Sequence, residues 1–108
     1  MEEIDYHLLS IEEQHDMLVR TLIAQERDHY VHTMNQERYE FMLAEADAEQ
    51  KDSPWYQQIA KLLSDTKDRK HEVSTIISAL KKQLPNKDLV MRAAGRIRLA
   101  ELERKVRA

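Results

Sequence analysis

Neither proline nor glycine occurs in the first 53 residues of this chain. These two residues are the usual interrupters of a helix. Proline removes a donor and clashes with the preceding turn, and glycine loses the most backbone entropy on ordering. Through the same stretch a register of alternating four- and three-residue steps runs Ile4, Leu8, Ile11, His15, Leu18, Leu22, Gln25, His29, His32, Gln36, Tyr39, Leu43, Ala46. That period turns one helix face toward a partner helix. The pattern predicts a single long helix ending near Glu49. Ser10 and Glu13 have the spacing of a capping box, which would make residues 4–9 a separate short turn.

The remainder of the chain extends this reading to the whole protein. Among 108 residues there are two prolines, one glycine (Gly95) and no cysteine. Sandwiches, barrels and doubly wound sheets turn their strands with glycine, so the expected fold class is all-α. Gly-rich phosphate loops, thiol nucleophiles, disulfides and cysteine-ligated zinc are excluded with it. The start, Met1-Glu2-Glu3-Ile4-Asp5, has no basic region followed by an apolar one, and no apolar run reaches the roughly 18 residues needed to span a bilayer. The expectation is a cytoplasmic protein with no membrane partner.

Ser53 as N-cap with Pro54 at the first helical position starts a second helix. Its seam reads Trp55, Ile59, Leu62, Thr66, Arg69, Val73, Ile76, Leu80, with Leu63, Ile77 and Leu84 widening the stripe, and Pro85 ends it. Asn86 is placed to cap a third helix over roughly residues 87–106. One face of that helix carries Leu89, Val90, Ala93, Ala94, Ile97 and Ala100. Leu99, Leu102 and Val106 lie well round the axis from that group, so two surfaces are implied. The organisation is therefore an antiparallel hairpin over residues 1–84 and a basic C-terminal helix over residues 85–108.

In such a hairpin Leu80 falls level with Gln25, and Leu84 with Arg20. The second helix then runs out before it covers Ile4, Leu8, Leu9, Ile11 and Leu18. Either the third helix covers them or another chain does. Because two helices alone bury little surface against the ordering entropy, oligomerisation is the economical answer, with Leu8, Ile11, Leu18 and Leu22 as the self-association residues.

Charge is unevenly spread. Residues 1–52 hold 14 acids and 4 bases, whereas residues 81–108 hold 3 acids and 9 bases. A chain polarised in this way pairs its own ends, a second copy or an acidic partner. Arg92 and Arg96, one turn apart and followed by Arg98, form a ridge able to follow phosphates. No aromatic residue accompanies them for base stacking, and Glu101 and Glu103 interrupt the run, so nucleic acid is the second choice behind the acidic helix of another copy.

Glu12-x-x-His15, Glu26-x-x-His29 and Asp68-x-x-His71 have the spacing by which ferritin-like bundles hold metals. Glu12 and Glu26, however, are separated by about 21 Å along one helix and cannot share a site within a chain. No metal and no cofactor are expected, and a carboxylate-histidine bundle is the third choice. Gln25, His29, His32 and Gln36 occupy four consecutive seam places. They form either a buried polar layer that sets register or, if the buried face drifts by about 20° per heptad, a flank beside inward-facing Tyr30, Met34, Phe41 and Ala44. Drift is the favoured reading, because it accounts for the apolar character of Met34 and Phe41. The seam histidines, with His7, also raise a pH switch, behind an ordinary structural role. Trp55 and Tyr56, beside Pro54 at the hairpin tip, either plug the end of the core or anchor a partner. The serines fall in helices or caps, without the strained turn that exposes a nucleophile. The combined expectation is a non-enzymatic helical scaffold or adaptor that self-associates and binds a protein partner through Trp55, Tyr56, Arg92, Arg96 and Arg98.

Overall fold

The computed structural model describes residues 9–107, so Ile4, His7 and Leu8 lie outside the described residues. It is all-α: α1 spans Ile11–Ala44, α2 Pro54–Gln83 and α3 Lys87–Arg107, with a short 3-10 turn at Gln50–Asp52. Helices α1 and α2 form a hairpin.

The helix starts stand where the capping chemistry puts them. Ser10 Oγ accepts from the Glu13 amide at 3.1 Å while Glu13 Oε1 accepts from the Ser10 amide at 3.3 Å, a reciprocal capping box. Ser53 Oγ accepts from the Tyr56 amide at 3.2 Å, and Asn86 Oδ1 accepts from the Leu89 amide at 3.2 Å. Each closes one of the donors that a first turn leaves open.

The end of α1 differs from expectation, at Ala44 rather than Glu49. Asp47 and Gln50 exchange bonds of their own, Gln50 N–H to Asp47 Oδ1 at 2.8 Å and Asp47 N–H to Gln50 Oε1 at 3.0 Å. These side chains offer the backbone a local turn in place of the helix. The helix dipole acts in the same direction, since Glu45, Asp47 and Glu49 disfavour a helical C-terminus while suiting the start of the next element. The connection between α1 and α2 consequently runs from Glu45 to Ser53.

The described residues of Met1–Ala24 and Ser78–Ala108 form one compact unit, and Gln25–Ile77 a second. In the first, Val19, Leu22, Ile23, Leu80, Leu84, Ala93 and Ile97 are buried. Three helix segments share this core, and α3 supplies the cover within the chain. Val19 and Ile23, which the four-three register passes over, are buried because two neighbouring helices widen the covered face beyond a two-helix seam. In the second unit only Ile59 and Val73 are buried.

The α2 seam is offset from the expected one. Ile59, Thr66, Val73 and Leu80 belong to it as expected, but the intervening places are Tyr56, Leu63, Lys70, Ile77 and Leu84, while Trp55, Leu62, Arg69 and Ile76 are exposed. Two lines of seven-residue steps compete here. The winner ends on Leu84, inside the core of the first unit, and the loser ends on exposed Gln83.

The drift reading of α1 is overturned. Gln25, His29, His32, Gln36, Tyr39, Leu43 and Ala46 are all half-covered, so the four-three register holds to the tip. Tyr30 and Phe41, each 65% exposed, and Met34, 51% exposed, face outward with Ala44. A strict heptad pattern keeps its seam only while the two helices wind about each other, which cancels the drift of straight helices. Lys70 Nζ donates to Gln36 Oε1 at 3.3 Å across this seam, one residue from the expected level.

Candidate functional site

The candidate site is a set of surfaces rather than a cavity. Near the start of α1, Ile11, Glu12, His15 and Asp16 join Leu89, Arg92 and Arg96 of α3 around an open cleft of 440 Å³. Arg96 reaches Asp16 with both terminal nitrogens, Nη1 to Oδ2 and Nη2 to Oδ1, each at 3.3 Å. Because the Arg96 side chain is 67% exposed, solvent screens the pair, and it contributes at most about 1 kcal/mol. Its main effect is to fix where α3 lies along α1 in this unit. Acidic α1 thus meets basic α3 within one chain, the pairing of ends that the charge distribution allows.

The proposed self-association residues do not form one patch. Ile11 is 85% exposed at the cleft, Leu18 is half-buried, Leu22 is buried inside its own chain, and Leu8 lies outside the described residues. Within this unit Leu22 shares a core with Ala93 and Ile97 of α3, whereas Ile11 is left uncovered.

The proposed partner-binding residues also separate. Arg92 and Arg96 share the cleft, and Arg98 is exposed elsewhere on α3. Trp55 does not plug the hairpin core: it retains 39% of its surface, while Tyr56, the seam residue, is half-buried. Among the Glu-x-x-His pairs, Glu12 and His15 line the cleft, and Asp68 and His71 are both exposed. His32 Nε2 lies 3.6 Å from Asp28 Oδ2 on its own helix. Among the described residues no three His, Asp or Glu side chains gather at a spacing that would hold a metal ion. No described helix is long and apolar enough to cross a membrane.

Two faces stand out. On α1, at about 100° per residue, Tyr30, Met34 and Phe41 fall within about 40° of one another, opposite the seam. On α3, Met91, Gly95, Leu99, Leu102 and Val106 fall within about 80°, roughly opposite the buried Ala93 and Ile97. All five are exposed, Val106 at 86%, and a Cβ added at Gly95 would meet no atom within 4 Å. The rotated apolar group on α3 is legible in the sequence. The α1 face has the same signal, apolar residues outside the heptad register, but drift would have turned it inward.

Comparison with protein-family models, with curated proteins and with solved structures finds no match for this chain.

Proposed function

We propose that this protein is a non-enzymatic helical scaffold or adaptor, which associates with copies of itself and presents the assembled surface to a protein partner. The observation that carries the reading is the apolar balance. Among the described residues thirteen large apolar side chains are exposed, against nine apolar side chains buried. Soluble monomers scatter such residues singly, whereas here Tyr30, Met34 and Phe41, and again Leu99, Leu102 and Val106, recur at helical spacing along continuous faces. Faces of that kind are completed by another helix.

Nucleic-acid binding through α3 has weaker support. Arg96 directs its guanidinium at Asp16, which takes it out of the basic ridge. Light scattering coupled to gel filtration at several concentrations tests the proposal. A mass that rises to a multiple of 12.8 kDa is expected, and a 12.8 kDa species at every concentration would contradict it.

A further inference from the structure

We infer that self-association lays the outer face of α3 from a second copy antiparallel across the outer face of α1, with Phe41 seated on Gly95 and Glu37 beside Arg98. The inference rests on the self-association reading and specifies the surfaces that carry it.

The two faces match in length and in spacing. Tyr30 to Ala44 and Met91 to Val106 each extend about 21 to 23 Å at 1.5 Å per residue. Tyr30, Met34 and Phe41 stand at steps of four and seven, and so do Met91, Gly95 and Leu102. Run antiparallel, Tyr30 falls level with Val106, Met34 with Leu102 and Phe41 with Gly95. The largest side chain of one face then meets the residue of the other that has no side chain and open space above it. Large-into-small matching lets helix backbones approach closely.

Charge selects the same arrangement. One edge of the α1 face carries Glu26, Glu37 and Glu40, and the corresponding edge of the α3 face carries Lys87, Arg98 and Lys105. Antiparallel helices bring corresponding edges together, which sets Glu37 and Glu40 beside the turn that carries Arg98, while Glu26 and Lys87 fall beyond the two ends of the contact. On the other edge Glu45, just past the end of α1, falls near the level of Arg92. A parallel arrangement brings Arg38 toward Arg98 and seats Phe41 against Leu102. Two copies of the same face, set antiparallel, bring like charges together. A second copy therefore offers each face its complement only when α1 meets α3.

Charge reversal and rescue test this, with mass and dissociation constant read by light scattering and sedimentation equilibrium. Arg98→Glu and Glu37→Arg should each weaken association by about tenfold, and the double variant should return to within about threefold of the original. Gly95→Leu gives a second test. Its added side chain meets nothing within the chain, so helicity should hold while association falls, because the seat for Phe41 is filled. If the original protein associates and both single reversals associate as well as it does, or the double variant fails to recover, the inference is overturned and self-association stands. If the original protein is a monomer throughout, both are overturned.

Discussion

The two compact units are built from similar helices but bury very different cores. The unit made of the described residues of Met1–Ala24 and Ser78–Ala108 holds seven of the nine buried apolar side chains, and Gln25–Ile77 holds two. The difference lies in helix number. A third helix lets α1 bury Val19, Leu22 and Ile23 on a widened face. Two helices alone share one seam, and in Gln25–Ile77 that seam is diluted by His29, His32, Gln36, Thr66 and Lys70. Hydrophobic burial scales with apolar area removed from water, at about 25 cal/mol per Å², so the two-helix unit has little with which to offset its ordering entropy. The same unit leaves Tyr30, Met34 and Phe41 exposed. Its deficit and its uncovered face have one cause.

The most disruptive way to break the contrast is a charge at Val19, which is fully buried. Val19→Asp should cost several kcal/mol, because a buried carboxylate there has no partner, whereas Met34→Asp on the outer face should change monomer stability by no more than about 0.5 kcal/mol. Urea denaturation followed by circular dichroism compares them, and equal losses would dissolve the distinction between the units. Truncation gives a smaller version of the comparison. Leu22→Ala should cost about 3 kcal/mol and the half-buried Leu43→Ala about 1 kcal/mol, since cavity cost follows how fully a site is enclosed.

Much of this was readable before the structure, because capping chemistry is local. Ser10 with Glu13, Ser53 with Pro54, and Asn86 each marked a helix start through side chains that bond within three residues, and all three starts stand. The end of α1 was less legible, because Asp47 and Gln50 stop the helix without proline or glycine. The α2 seam hung on a competition between two heptad lines of similar apolar content, settled by where Leu84 lies, a tertiary matter. The place of α3 was open for the same reason, since a helix with two apolar faces does not declare which one is covered in cis. The outward turn of Tyr30 and Phe41 depends on whether the helices supercoil, which no single residue encodes.

Loss of a helix cap has a smaller effect than loss of a buried side chain. Ser10→Ala removes a reciprocal pair of bonds at the start of α1 and should cost about 1 kcal/mol, with Ser10→Gly costing only a few tenths. Thermal melts of the two variants check this, and the order Gly above Ala is the informative outcome. The smallest effect is expected at Lys70. Replacing it with methionine removes a half-buried ammonium and its bond to Gln36 from the poorer seam, so thermal stability should stay level or rise by less than about 1 kcal/mol. A marked loss would mean that the polar seam contributes to stability rather than diluting it.

In one copy Gln25–Ile77 buries only two side chains, and we propose that a second copy completes it through the outer faces of α1 and α3. Hydrogen exchange measured below and above the concentration at which mass rises locates the contact, because amide protection reports local opening segment by segment. Slower exchange is expected across residues 25–44 and 87–107 at the higher concentration, with residues 14–24 of the better-buried unit protected alike at both. Exchange that is the same at both concentrations, or added protection confined to residues 11–24, would contradict it.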